Sequence, residues 1–124
     1  MKAQVSSLML CVVMAACARE ENYVSAPVDA PPPIPPFTIP SDSKANFYVL
    51  EKGGQGNERT IVTKREGPSG VSYSKRLYNC AEHTVKYLGT GDSLAAMTAS
   101  AADPAMAPIV EGSIAYYVGL QACG

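Results

Sequence analysis

Seven of the ten prolines fall between Pro27 and Pro40, and this run decides how the chain divides. Proline has no amide hydrogen to donate and restricts the residue before it, so residues 26–40 cannot form a helix or a central strand. The expected conformation is extended polyproline II, reaching about 45 Å at roughly 3.1 Å per residue. A spacer is the plain reading of such a run, and recognition by an aromatic groove is the other. Residues 17–43 are therefore read as a tether, between a leader at 1–16 and one folded domain at 44–124.

The leader reading rests on Lys2 followed by an uncharged, mostly apolar stretch at residues 5–16. That length suits a secretory signal peptide and falls short of the roughly 20 residues a membrane-spanning helix needs. Charge returns at once in Arg19, Glu20 and Glu21. Two cuts are open. Met14-Ala15-Ala16-Cys17 resembles the lipobox of bacterial lipoproteins, with Met14 where that family usually has leucine. Cleavage there would leave Cys17 as the acylated N-terminus, carrying fatty acyl chains such as palmitate. Ala16-Cys17-Ala18 is instead an A-x-A site that would release a soluble periplasmic or secreted protein beginning at Arg19. Under the lipobox resemblance, Ala18 in place of aspartate implies the outer membrane, facing the periplasm or the cell surface. In either case the chain is expected in the cell envelope of a bacterium or beyond it.

Residues 44–124 carry eight Lys and Arg against seven Asp and Glu. Such a balance gives no field for nucleic acid, so none is expected as a partner. A domain of this size is near the lower limit for a self-sufficient core, and a covalent staple helps it. Cys80 and Cys123 are the two cysteines it contains. Behind an export signal they are read as a disulfide, closing a loop of about 44 residues and contributing about 4 kcal/mol by loss of unfolded-chain entropy. Two buried free thiols are the alternative.

Residues 46–51 and 59–64 are rich in β-formers, with the Gly53-Gly54-Gln55-Gly56-Asn57 run between them read as a hairpin turn. No helix with a Lys-Ser or Lys-Thr pair follows that run, so it is not taken as a phosphate-binding loop. Residues 67–70 (Gly-Pro-Ser-Gly) mark a second turn, 71–80 a third strand, and 83–88 a fourth with alternating polarity. Residues 93–102 read either as a short helix capped by Ser93 or as a loop. Ser113 is the expected N-cap of a last helix, on which Ile114, Tyr117, Val118 and Gln121 share one face. The fold expected is α+β: an antiparallel β-meander with a C-terminal α-helix pinned to it by the disulfide.

Tyr78-Asn79-Cys80, then residues 85–89 (Val-Lys-Tyr-Leu-Gly), then residues 108–113 (Pro-Ile-Val-Glu-Gly-Ser) leading to Cys123, resemble the surface-adhesin protein E family. Those are small bacterial envelope proteins, often lipoproteins. The resemblance spans residues 47–123, and many members have an aromatic residue where this chain has Ala105-Met106-Ala107. It implies an antiparallel sheet backed by a C-terminal helix and, for the namesake, adhesion to host molecules. It brings no catalytic residues.

His83 is the only histidine, which rules out a site built on two. With Glu82 and Asp92 it would make a weak metal site; alternating with Val85 and Tyr87, it reads instead as a half-buried structural residue. No nucleophile elbow or positioned triad is present, so neither enzyme activity nor a cofactor is expected. The binding candidates are Lys64, Arg65, Lys75 and Arg76, which flank the turn at 67–70, with Tyr73 and Tyr78 beside them. Arginine and tyrosine are favoured in interfaces. The functional expectation is an envelope lipoprotein that binds a protein or glycan partner, with surface adhesion to host or matrix molecules in front. A structural or assembly lipoprotein of the envelope or a secretion system, with a periplasmic partner, is the alternative. An ordinary solvated sheet face, with lysine discouraging edge pairing, is the bland reading of the same residues.

Overall fold

The computed structural model describes residues 34–124. The leader at 1–16, the acylation candidate Cys17 and the tether up to residue 33 lie outside the described residues.

Short turns between β-forming runs pair each strand with the next along the chain, and the result is a single meander. Six antiparallel strands lie in sequence order: β1 (Phe37–Ile39), β2 (Asp42–Gln55), β3 (Glu58–Gly67), β4 (Gly70–Asn79), β5 (Thr84–Gly91) and β6 (Ala107–Pro108). Two helices complete it, α1 (Leu94–Ala99) between β5 and β6 and α2 (Ile114–Cys123) after β6. The antiparallel sheet with a C-terminal helix is the architecture the sequence implied, and residues 94–99 take the helical alternative. Ser93 caps α1 by accepting from the Ala96 amide at 3.0 Å, and Ser113 caps α2 by accepting from the Tyr116 amide at 3.1 Å.

The domain begins earlier than residue 44. Phe37–Ile39 forms an edge strand, Ile39 is fully buried, and the Phe37 ring stacks on Phe47 with centroids 5.7 Å apart. An edge strand leaves its outer amides unpaired, so the flanking Pro36 and Pro40 cost it nothing. Pro40 and Ser41 make the turn into β2, where Ile39 pairs with Asp42.

The core lies between one face of the sheet and α2. Ile39, Ala45, Phe47, Ile61, Tyr78, Val85, Val118 and Ala122 form it. The helix buries Val118, Gly119 and Ala122 and packs Ile114, Ala115 and Tyr117 against the core. Three of the four residues expected on one face, Ile114, Tyr117 and Val118, thus turn inward, and the small residues Gly119 and Ala122 join them. Its position is set by Tyr78. The fully buried phenol donates to the Ala115 carbonyl at 2.7 Å, and a Cβ on Gly119 would stand 2.8 Å from the ring. Cys80 and Cys123 are disulfide-bonded with their Cα atoms 5.8 Å apart, tying the end of α2 to the residue after β4. The α1 helix lies over the opposite face, against β5, where Gly89 lets the Met97 carbonyl approach the strand backbone.

Candidate functional site

The hairpin of β3 and β4 turns on Pro68 and Ser69, with Gly67 paired to Gly70. That register fixes which side chains share a face, because directly paired residues point the same way and neighbours alternate. Arg65 pairs with Ser72, Thr63 with Ser74, Ile61 with Arg76 and Arg59 with Tyr78. These all project to the α2 side. Lys64 pairs with Tyr73 and Val62 with Lys75, and these project to the α1 side. The six candidate residues therefore do not form one patch. Arg65, Arg76 and Tyr78 occupy one face; Lys64, Tyr73 and Lys75 occupy the other.

On the α1 side, β2 extends the row: Tyr48 pairs with Lys64, which pairs with Tyr73. The Lys64 ammonium sits 5.7 Å from the Tyr48 ring centroid and 2.6 Å from the Glu66 carboxylate, which also accepts from the Tyr48 hydroxyl at 3.3 Å. The hydrogen bond to Glu66 raises the Lys64 pKa, and the same bond holds Glu66 below the usual carboxylate range. Lys75 follows on the same face, half-buried beside α1, with no carboxylate in ion-pair distance among the described residues.

On the α2 side two of the three arginines, Arg65 and Arg76, have opposite circumstances. Arg65 grips Asp42 with both ends of its fork, Nε to Oδ2 at 2.6 Å and Nη2 to Oδ1 at 3.0 Å. This bidentate bond lowers the Asp42 pKa and raises that of Arg65. Arg76 is only 4% exposed, yet its hydrogen-bond acceptors are neutral. Its Nη1 donates to the buried Thr63 hydroxyl at 3.1 Å and its Nη2 to the Tyr87 hydroxyl at 3.1 Å. The guanidinium carbon lies 4.7 Å from the Tyr87 ring centroid, a cation–π contact that offsets part of the desolvation. The Nε–H is buried and has no partner among the described residues. An uncompensated buried cation costs several kcal/mol, so its retention calls for an explanation.

Arg76 lines an open cleft of about 460 Å³ between the ends of β3, β4 and β5 and the start of α2. Ser72, Ser74 and Thr90 supply hydroxyls to it, with Ser74 and Thr90 directly paired across β4 and β5. Phe47, Tyr87 and Ile114 supply apolar wall. None of the described residues lining the cleft is acidic. Chemically it is a donor-rich pocket with one unneutralised positive charge at its edge.

Tyr78 is not a contact residue. It is fully buried under α2, and burial pushes its phenol far above the ordinary tyrosine range, so it remains a protonated donor to Ala115. His83 also differs from expectation. It is exposed, in the turn between β4 and β5, with φ of 55°. The Asn79 side chain builds that turn by accepting from the amides of Ala81 and Glu82, so His83 is set in a left-handed position rather than in the strand. A smaller cavity of about 310 Å³ adjoins the disulfide, with His83 and Glu111 among its lining residues. Among the described residues no cluster of His, Cys, Asp and Glu is arranged to hold a metal ion.

Sequence reasoning missed Tyr48, Thr63, Tyr87 and the hydroxyl row. The alternation of β2 and β5 would have placed Tyr48 and Tyr87 on their faces once the hairpin register was fixed. Nothing in the sequence announces that Arg76 lacks an acid. No family model, curated protein or solved structure matches this chain.

Proposed function

We propose that this chain is an exported envelope protein that acts by binding a negatively charged protein or glycan partner through the β3–β4 hairpin. The observation that carries the reading is a contrast between two adjacent pairs of cations. On β3, Lys64 and Arg65 are neutralised by Glu66 and Asp42. On β4, Lys75 and Arg76 have no acidic partner among the described residues, and they face opposite sides of the sheet. Charges left open next to tyrosines, at positions where neighbouring cations are paired, are the pattern of a surface kept for a partner. The leader at 1–16 and acylation of Cys17 would deliver the domain to the outer membrane on the Pro-rich spacer. The resemblance to the surface-adhesin protein E family supports adhesion to host or matrix molecules as the setting.

The test has two arms. Protease treatment of intact cells producing the chain should remove the domain; survival of the domain contradicts surface adhesion and favours the periplasmic assembly role. In the second arm, the purified protein is applied to host cells and to immobilised matrix. Lys75→Glu combined with Tyr73→Ser should weaken retention by about tenfold, the scale of one lost charge-assisted contact. Unchanged retention would remove the hairpin from the binding surface.

A further inference from the structure

We infer that the cleft beside Arg76 is a binding site for a carboxylated sugar, such as a uronic or nonulosonic acid unit of a glycan. This deepens the binding reading by naming a ligand class for one face of the hairpin, and it stands on geometry that the Lys75 face does not share.

Charge comes first. Of the two arginines lining the cleft, Arg65 is already held by Asp42 in a bidentate pair, so one positive charge is left over. A single guanidinium matches a monoanion, and its planar fork matches a carboxylate. A phosphate monoester, with nearly two negative charges at neutral pH, would be undercompensated here. Arg76 is also preorganised: Thr63 and Tyr87 fix two of its nitrogens, and the Tyr87 ring lies against its carbon. A ligand carboxylate would meet a side chain whose rotamer entropy is already spent.

The remaining lining matches a sugar rather than a bare carboxylate. Ser72 and Ser74 alternate along β4 on the same face, and Thr90 stands directly across from Ser74. These hydroxyls both donate and accept, as sugar hydroxyls require. The walls contributed by Tyr87, Phe47 and Ile114 offer apolar surface for the C–H face of a pyranose ring. The volume, about 460 Å³, lies in the range of small-ligand sites and admits one hexose-sized unit with water. The absence of any carboxylate among the described lining residues removes the repulsion that would otherwise exclude an acid sugar.

The experiment is an amide-shift NMR titration of the purified, disulfide-intact protein with D-glucuronate and N-acetylneuraminate, and with glucose, acetate and inorganic phosphate as controls. At least one acid sugar should give saturable shifts confined to residues 72–76 and 87–91, with affinity about tenfold above every control. Arg76→Gln should abolish them. Because that variant alters a buried residue, Thr90→Glu provides a second reading: Thr90 is exposed, and a glutamate there would occupy the guanidinium from within the chain. It should lose the ligand while keeping the wild-type fold. No saturable shift up to about 50 mM would overturn the site. Acetate or phosphate binding as tightly as the sugars would overturn the sugar assignment, and so would a Thr90→Glu protein that binds like wild type. A flat titration leaves adhesion through Lys75 standing, and failed adhesion leaves the titration to be judged alone.

Discussion

The ring of Tyr78 occupies the space that a side chain on Gly119 would need: a Cβ there would stand 2.8 Å from Cε1. The helix thus rests on the strand at backbone distance, and the phenol closes the contact by bonding to Ala115 at 2.7 Å. Alanine in place of glycine inside a helix ordinarily gains about 1 kcal/mol. Here the overlap with a fully buried ring costs about 1–3 kcal/mol and reverses the sign. Gly119→Ala should therefore lower stability in denaturant titrations, while Tyr78→Phe, which removes only the hydroxyl, should cost about 1 kcal/mol.

The Cys80–Cys123 bridge spans 43 positions of sequence, including β5, α1, β6 and nearly all of α2. Opening it returns that much freedom to the unfolded chain, about 4 kcal/mol in the chain-entropy account. In a domain of this size that is a large share of total stability. Melting with and without a reductant should show a drop of well over 10 °C on reduction, and the Cys80→Ser, Cys123→Ser double variant should melt like the reduced protein.

Asp42 and Glu66 are both held below the ordinary carboxylate range, by Arg65 and Lys64 respectively. A carboxyl with a depressed folded-state pKa adds stability above its unfolded value and loses it as pH falls through the folded one. Those ordinary values are 3.8 for aspartate and 4.5 for glutamate, so the loss begins near them and continues below. Asp42→Asn should lower stability at neutral pH and flatten its decline in acid, as read from melting temperature against pH.

Much of the architecture was legible because glycine and proline punctuate it. Residues 67–70 and 53–57 placed two hairpins, Ser113 placed the start of α2, and two cysteines in a small domain that needs a staple placed the bridge. The edge strand Phe37–Ile39 was not legible, because the proline rule concerns amide donors and an outer edge needs none. The inner face of α2 was legible in part: Ile114, Tyr117 and Val118 share it as periodicity implies, whereas contact with Tyr78 adds Gly119, which periodicity passes over. The candidate site was half legible. The six residues do cluster in sequence around one turn, but a two-residue turn at Pro68 and Ser69 sends Arg65 and Arg76 to one face and Lys64 and Lys75 to the other. That division follows from register, which is set by a single hairpin and flips with one residue. The state of Arg76 depends on packing around three strands and could be found only there.

Whether the Arg76 charge is kept for a ligand or for the fold can be measured without any ligand. Replacing a buried ion by an apolar side chain of similar length is neutral or stabilising when the charge has no acidic partner, and it is strongly destabilising when a structural pair is broken. The measurement is equilibrium unfolding of Arg76→Met beside wild type at neutral pH. A stability within about 1 kcal/mol of wild type, or above it, is the result expected of a recognition group. A loss of about 3 kcal/mol or more would make the guanidinium a structural element and contradict its assignment to a partner.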